Sequence, residues 1–326
     1  MRRVPILMTP APKDYLWGGS RLNDDYKKDI DMFPLAETWE CSTHPDGRSL
    51  VGGSPLNAIL ENNPDWLGTH PLRVTGGKQE LPILIKLIDA EKDLSVQVHP
   101  DDEYAKQFEN GSFGKTEMWY VLDAKKDSKL VYGFRNKVTK EQVRTALLNG
   151  KIEHYLNHIP VCKNDLFYIE AGTVHAIGKG CLIAEIQESS NLTYRLYDYN
   201  RVDKNGCKRP LHIDKALEVA NLNSSDEPRQ PMRVLKYRNG VASELLCRCK
   251  YFQVERVLLN TETQRSLVEY KTSQNSFHAL LCVDGCGTIV ARDFNLNFFK
   301  GDCMFVPADS ETLKFHGKSQ LLDVSC

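Results

Sequence analysis

The hydrophobic pattern of the chain is dominated by short segments in which apolar and polar residues alternate. The clearest of these covers residues 94–99. Its alternation has the period of a β-strand and would place Ser95, Gln97 and His99 together on one face. A strand in a protein core seldom presents a row of polar side chains unless that face is solvated or binds something. We therefore expect this strand to border a binding site.

Similar segments recur along the chain, separated by turn residues and by a few helices. Further strands are predicted at residues 37–42, 81–89, 117–123, 130–134, 166–170, 182–187 and 193–199. Helices are predicted at residues 54–66, 101–110, 139–148, 152–158 and 212–221. Ser54 followed by Pro55 would begin the first helix, and a capping box at Thr139 and Gln142 would begin the third. We expect segments 117–123 and 130–134 to pair with each other across a polar turn.

The last third of the chain has a different pattern. A proline-rich segment at residues 227–231 is the best candidate for a linker. Beyond it, short strands separated by turns are predicted with almost no helix, at residues 251–259, 266–270, 277–283, 287–290, 303–307 and 321–324. Many short strands at close spacing favour antiparallel sandwiches or jelly rolls over a parallel, doubly wound sheet.

Composition and charge narrow the functional classes. The chain has 326 residues and a net charge of −1, so no basic surface points to nucleic acid or to an anionic membrane. The longest apolar run, residues 81–88, is interrupted by Pro82 and Lys86 and is too short to span a bilayer. No long apolar run follows the N-terminus, so we expect no signal peptide, a cytoplasmic location and reduced thiols for the ten cysteines.

Four polar residues on three separate segments suggest a metal site, and we hypothesise that Gln97, His99, Glu117 and His175 converge on one divalent ion. Two histidines and one carboxylate are a common ligand set for zinc, and the Gln97 carbonyl would leave room for water or substrate. A dication held by a single carboxylate keeps a net positive charge and can polarise a carbonyl or stabilise an enediolate. The residues alone leave the ordinary alternative equally open, in which the histidines are core or surface residues and Glu117 is a charge at a strand end.

Several cations near these segments could contact an anionic substrate. Arg195, which the strand period places on one face with the aromatic residues of segment 193–199, could bind a carboxylate or phosphate with two hydrogen bonds. Lys115 could donate a proton or contact a phosphate, and Arg201 and Lys204 could steer one. The alternative in each case is a solvated or partly exposed cation that contacts no substrate. For Arg195, the strand period by itself favours this alternative.

Five motifs, taken together and in order, resemble the zinc-dependent mannose-6-phosphate isomerases in their short bacterial form, which belong to the cupin superfamily. The motifs occupy residues 95–100, 114–120, 171–177, 185–191 and 194–199. The resemblance extends over about residues 14–216, includes segments 17–19 and 37–39, and fades beyond about residue 230. Gln97 stands where the general cupin pattern has a histidine, as it does in these isomerases.

The resemblance implies a fold and a site. The fold would be mainly β, with two cupin-like jelly rolls: a catalytic, metal-binding domain with helical insertions at residues 1–230 and a smaller degenerate one at residues 231–326. One Zn²⁺ per subunit would be bound, and Arg195 and Lys115 would be catalytic residues. The zinc ligands implied by the resemblance are Gln97, His99, Glu117 and His175.

The activity implied by the resemblance is an aldose–ketose isomerisation that interconverts mannose 6-phosphate and fructose 6-phosphate through a metal-stabilised cis-enediol. The partner would be a small sugar phosphate, without nucleic acid or membrane, and the protein would be a monomer or a weak dimer. Lys115 and a metal-associated water are the candidates for the base. The alternatives are an Fe(II) dioxygenase of the same superfamily, a sugar-phosphate sensor without turnover, and a structural cupin without metal. Arg195 and Lys115 together weigh against the sensor.

Overall fold

Antiparallel strands make up most of the regular structure in a computed structural model that describes residues 2–202, 206–225, 228–229, 234–262 and 267–326. The strands up to residue 202 are β1 Ile6–Leu7, β2 Ala11–Lys13, β3 Glu37–Cys41, β4 Leu50–Val51, β5 Ser54–Pro55, β6 Ile83–Ala90, β7 Val96–Val98, β8 Glu117–Ala124, β9 Lys129–Phe134, β10 Leu156–Pro160, β11 Leu166–Ile169, β12 His175–Ile177, β13 Cys181–Glu188 and β14 Tyr194–Tyr197. The later strands are β15 Lys236–Arg238, β16 Val241–Arg248, β17 Gln253–Asn260, β18 Val268–Tyr270, β19 His278–Ala291, β20 Phe294–Phe299, β21 Cys303–Val306 and β22 Leu313–Ser325. The helices are α1 Arg21–Asp24, α2 Leu56–Glu61, α3 Thr69–Val74, α4 Asp102–Phe108, α5 Lys140–Leu148 and α6 Ile213–Val219, with 3-10 turns at Pro64–Trp66 and Ile152–His154.

Two facing sheets form the part of the molecule that carries the predicted site. One has six strands in the order β11-β8-β13-β6-β3-β2, and the other has five in the order β10-β9-β12-β7-β14. Side chains from both sheets form one apolar cluster, in which Trp119 and Ile183 come from the first sheet and Leu130 and Ile177 from the second. The sequence prediction of a mainly β fold built from antiparallel sheets is confirmed.

The six-stranded sheet is buried on both faces, which explains its composition. Every residue of β6 and of β13 is buried. The inner face packs against the five-stranded sheet, and the outer face packs in a second cluster that includes residues of the C-terminal sheet such as Phe305 and Leu322. Strands covered on both sides usually have nearly continuous apolar sequences. Lys86 inside β6 departs from this pattern, so nearby groups must stabilise its buried charge.

The C-terminal strands form a nine-stranded antiparallel sheet with the central order β1-β21-β19-β22-β17-β16-β15. Its first strand comes from the other end of the chain, because Ile6 and Leu7 pair with Phe305 and Met304. No helix lies beyond residue 234 in the described part of the chain, as the sequence predicts. Every described helix is also too short or too polar to cross a lipid bilayer.

Three local predictions need correction. Segments 117–123 and 130–134 do not pair with each other, because β8 pairs with β11 and β13 whereas β9 pairs with β10 and β12 in the opposite sheet. Ser54–Pro55 is a short strand paired with Leu50–Val51, and the helix begins only at Leu56. The predicted helix at residues 152–158 is a single 3-10 turn that runs into β10.

The division at residue 230 stays a prediction. Most of the proposed linker, including residues 227, 230 and 231, lies outside the described residues, as does Ser266 of the predicted strand 266–270. The strands on either side of the gap do belong to different sheets, with the exception of β1.

The packing of β6 between two cores gives a stability prediction. Leu87 is fully buried in the outer cluster, so Leu87→Ala should lower the free energy of unfolding by about 2–5 kcal/mol through lost burial and a residual cavity. Leu148 on α5 is 88% exposed, and Leu148→Ala should change it by less than about 0.5 kcal/mol. Urea unfolding of both variants measures the difference, and equal effects would contradict the packing described here.

Candidate active site

A row of three polar side chains crosses the five-stranded sheet. Gln97 on β7 lies opposite His175 of β12 on one side and opposite Arg195 of β14 on the other. Residues opposite each other in neighbouring strands point to the same face of a sheet. The register therefore places His175, Gln97 and Arg195 side by side on the face that looks toward the six-stranded sheet.

A second row lies on the facing sheet. Trp119 of β8 is opposite Glu185 of β13, which is opposite Lys86 of β6, which is in turn opposite Trp39 of β3. The Lys86 ammonium lies 2.9 Å from Glu185 Oε1 and 3.8 Å from Glu37 Oε2. Lys86 thus has buried carboxylates on both sides, which accounts for a lysine in the middle of an apolar strand.

His99, Glu117 and His175 meet where the two rows come together. The side-chain donor atoms of these three buried residues all lie within 4.8 Å of one another. His99 Nε2 is 3.3 Å from Glu117 Oε1, and His175 Nε2 is 3.8 Å from Glu117 Oε2. Two imidazole nitrogens aimed at one carboxylate form a mixed nitrogen and oxygen set that suits a divalent metal ion.

The turn before β12 aims His175. Gly172 has a positive φ of 87°, a conformation that favours glycine, and its N–H donates to the backbone oxygen of His99 at 2.8 Å. His175 Nδ1 lies 2.8 Å from the backbone oxygen of Thr173. A carbonyl can only accept, so Nδ1 carries the proton and Nε2 presents its lone pair toward Glu117, as in histidines that bind metals.

Gln97 lies beside this group with its amide nitrogen 3.4 Å from His175 Nε2. A half rotation of the amide would exchange Nε2 and Oε1 and turn the carbonyl oxygen toward the histidine. Ser95, the next residue on the same strand face, donates to Gln97 Oε1 at 3.4 Å and accepts from Arg195 Nε at 3.3 Å. Three of the predicted site residues are thus joined through one polar strand face.

Burial sets the charge state of the three central groups. Burial, strengthened by the neighbouring Lys115 ammonium, lowers the pKa of His99 to about 3, and burial also lowers the pKa of His175. Burial alone would raise the pKa of Glu117, but the Lys115 ammonium and the adjacent His99 hold it well below its usual value. Neutral imidazoles and an ionised carboxylate are the forms that bind metals.

Lys115 reaches the same carboxylate from the cleft side. Its Nζ lies 2.6 Å from Glu117 Oε1 and 3.2 Å from His99 Nε2. The Trp119 indole N–H donates to Glu117 Oε2 at 3.1 Å and to Glu185 Oε2 at 2.9 Å. The Lys115 ammonium beside the Glu117 carboxylate and the His99 imidazole shows that these two groups attract positive charge. The same two groups could therefore bind a metal cation.

A cleft of about 270 Å³ opens beside the donor group. Gln97, Lys115 and Arg195 line it, together with Glu37, Lys86 and Glu185 of the facing sheet and Tyr15, Trp17, Ile88, Leu94, Ser95, Ile177, Asn191, Thr193 and Arg209. The cleft therefore combines cations and carboxylates around a small volume, which suits a small polar ligand.

Arg209 adds a cation that the sequence motifs did not single out. Arg209 Nε lies 2.8 Å from Asp198 Oδ2, and Arg201 also pairs with this carboxylate. Arg201 thus forms a structural pair, and Lys204 lies outside the described residues.

A bulge after Arg195 pairs Tyr197 with Val96, so the Tyr197 ring packs against the helices and does not share a sheet face with Arg195.

Glu37, Lys86 and Glu185 are the site residues that sequence reasoning missed. Glu37 and Glu185 lie inside segments 37–39 and 185–191, which carry the family resemblance, and Lys86 interrupts the apolar run at residues 81–88. A lysine within a buried apolar strand is itself a signal, because a buried ammonium requires nearby carboxylates.

Comparison with known proteins gives the family. Residues 6–127 match the model of the phosphomannose isomerase type I catalytic domain, and residues 243–326 match the mannose-6-phosphate isomerase cupin domain. The chain is 35% identical over 327 residues to mannose-6-phosphate isomerase ManA of Bacillus subtilis, covering 99% of both chains. It belongs to the mannose-6-phosphate isomerase family.

Other relatives of the family agree. The chain is 32% identical over 323 residues to mannose-6-phosphate isomerase of Streptococcus mutans, covering 98% of this chain and 97% of that one. The crystal structure of the Bacillus subtilis mannose 6-phosphate isomerase superposes with a TM-score of 0.87 at 32% identity, covering 99% of both chains. A mannose 6-phosphate isomerase bound with zinc and yttrium shares the fold, with a TM-score of 0.74 at 16% identity and coverage of 98% and 99%.

The buried pair between the two rows can be compared with an exposed pair of equal length. Lys86–Glu185 measures 2.9 Å with both side chains 5% exposed, and Lys125–Glu91 measures 2.8 Å with the side chains 54% and 48% exposed. Lys86→Met leaves buried carboxylates without a cation, so it should cost about 3–5 kcal/mol of unfolding free energy. Lys125→Met should cost less than about 1 kcal/mol. Denaturant unfolding near pH 7 tests this, and a small loss for Lys86→Met would show that the cleft admits enough water to solvate the carboxylates.

Proposed function

We propose that this protein interconverts mannose 6-phosphate and fructose 6-phosphate and that it does so with one Zn²⁺ held by His99, Glu117, His175 and Gln97. The observation that carries the proposal is the convergence of two buried histidines and one buried glutamate beside a small charged cleft. Membership of the metal-dependent isomerase family supports the substrate. The solved relative bound with zinc supports the metal.

The donor set fits zinc. Two imidazoles, a carboxylate and an amide oxygen supply four ligands and leave space on the cleft side for a substrate or water. Bound zinc would supply a Lewis acid at the sugar's hydroxyl and carbonyl oxygens. The other tasks fall to side chains of the chain itself.

Isomerisation moves a proton between C1 and C2 of the sugar, so groups that donate and accept protons must face the cleft. We assign the donor to Lys115 and the acceptor to Glu185, because both line the cleft, Lys115 from the loop before β8 and Glu185 from β13. Burial, together with the nearby Glu117 carboxylate, raises the pKa of Glu185, which makes its carboxylate a stronger base. Trp119, which donates to both Glu117 and Glu185, holds the acceptor in a fixed position.

The substrate's phosphate would lie against Arg195 and Arg209, the two guanidinium groups that line the cleft. Arg195 is held by two hydrogen bonds, from Nε to Ser95 Oγ at 3.3 Å and from Nη1 to the backbone oxygen of Pro210 at 3.0 Å. Neither partner carries a charge, so the Arg195 charge remains available to an anion. Arg209 is bound to Asp198, which makes Arg195 the stronger candidate for the principal phosphate contact.

The metal requirement can be tested by removal and replacement. Thorough chelation should abolish turnover of mannose 6-phosphate in a coupled assay, and Zn²⁺ should restore it, because the metal would supply the Lewis acid at the sugar's oxygens. His175→Ala should lower the bound metal per chain, whereas alanine at the exposed His154 should not. Unchanged turnover without metal would refute the proposal, and restoration by Fe(II) with uptake of oxygen would favour the dioxygenase.

The role of Arg195 predicts a loss of activity without a loss of folding. Arg195→Ala should lower kcat/KM for mannose 6-phosphate by about ten- to a hundredfold, since hydrogen bonds to charged groups contribute about 1.5–3 kcal/mol each. Arg144, which forms an exposed pair with Asp214, provides the matched control, and Arg144→Ala should leave kcat/KM unchanged. Both variants should unfold at the wild-type urea concentration. An unaffected rate in Arg195→Ala would reduce this arginine to a structural role.

A further inference from the structure

Three consecutive backbone amides around Lys115 are held from outside the cleft. The Gly114 N–H donates to Asp102 Oδ1 at 3.1 Å, and the Thr116 N–H donates to Glu188 Oε1 at 2.8 Å. Between them, the Lys115 N–H donates to the backbone oxygen of Pro100 at 3.0 Å. The segment that carries Lys115 therefore depends on two acidic side chains for its conformation.

Close packing at Gly114 shows how tightly the segment is seated. A Cβ at this position would lie 2.5 Å from both the carbonyl carbon of Asp101 and the amide nitrogen of Asp102. These are backbone atoms at the start of α4 and cannot move aside cheaply. Only glycine allows the segment to lie this close to the helix that bears Asp102.

The two acidic groups also lie close enough to influence each other. The negative charge of Asp102 acts on the Glu188 carboxyl group. Glu188 is 1% exposed, and its Oε2 has no donor among the described residues. Burial and the adjacent Asp102 raise the pKa of Glu188 to about 8, which agrees with a protonated Glu188 at neutral pH.

The C-terminal sheet reaches this pair. Lys250 Nζ and the Tyr251 hydroxyl, both in the turn between β16 and β17, donate to Asp102 Oδ2 at 3.0 and 3.1 Å. Asp102, Glu188, Lys250 and Tyr251 line a crevice of about 480 Å³ that is distinct from the substrate cleft. None of the four lines the cleft itself, and the hydrogen bonds at Gly114 and Thr116 connect the pair to the Lys115 segment.

We propose that Asp102 and Glu188 are positioning residues that aim Lys115 into the active-site cleft, and that the turn at Lys250 and Tyr251 connects the C-terminal sheet to this task. The inference rests on the function proposed above for Lys115. It gives the C-terminal sheet a part in catalysis that needs no contact with substrate.

Two substitutions at Glu188 distinguish the loss of its hydrogen-bond acceptor from a mere change of the side chain. Glu188→Gln keeps an oxygen for the Thr116 N–H and offers an N–H to Asp102, so kcat should stay within about twofold of wild type. Glu188→Leu removes the acceptor, and kcat should fall by about ten- to a hundredfold, the range expected when a catalytic group is displaced by about an ångström. KM and bound metal per chain should change little in both. Equal kcat values for the two variants would overturn the proposal.

Tyr251 tests the contribution of the C-terminal sheet with less risk to folding. Tyr251→Phe removes one donor to Asp102 and should lower kcat by about two- to fivefold without shifting the urea midpoint. Tyr237 on β15 is 76% exposed and provides the matched control, so Tyr237→Phe should leave kcat unchanged. An unchanged kcat in Tyr251→Phe would remove the C-terminal sheet from the proposal.

Hydrogen exchange distinguishes failure of this inference from failure of the proposed function. The peptide that contains residues 114–116 should exchange faster in Glu188→Leu than in wild type, and at the wild-type rate in Glu188→Gln. If the wild type does not isomerise mannose 6-phosphate, the proposed function fails, while the exchange rates still decide whether Glu188 holds the segment. Wild-type exchange in Glu188→Leu would refute the positioning role even in an active enzyme.

Discussion

The Glu117 carboxylate is fully buried, and a buried negative charge is stable only when nearby groups compensate for the water it has lost. The Lys115 ammonium and the Trp119 indole N–H provide that compensation. This requirement ties the arrangement of the site to the packing of the fold. The buried carboxylate and the two adjacent histidines form a donor set for a divalent cation.

Strand register makes this arrangement possible. His175, Gln97 and Arg195 share a face only because β12, β7 and β14 pair in one register, and a slip of one residue would turn Gln97 toward the helices. The large apolar clusters on both sides of each sheet oppose such a slip. The core thus determines where the polar residues point.

The active-site cleft is supported by contacts well outside it. Gly114 packs against the start of α4, Asp102 and Glu188 hold the neighbouring amides, and the C-terminal sheet reaches Asp102 through Lys250 and Tyr251. Such support fits the general need of catalytic side chains for a rigid surrounding. It also suggests why the family combines a catalytic sheet pair with a second β-sheet that carries none of the candidate metal ligands.

The sequence by itself determined the elements whose signals are local: the period of residues 94–99, the capping box at Thr139, the strand-rich C-terminal third and the motifs that led to the family. Side-chain chemistry and period act over a few residues, so one chain suffices to recognise them. Only the tertiary structure decided that β8 and β9 lie in opposite sheets, that Tyr197 turns away from Arg195, and that Lys86 stands between Glu37 and Glu185. Each of these depends on which distant strands pair and in which register, and that choice is made by the packing of the whole core, which no short stretch of sequence encodes.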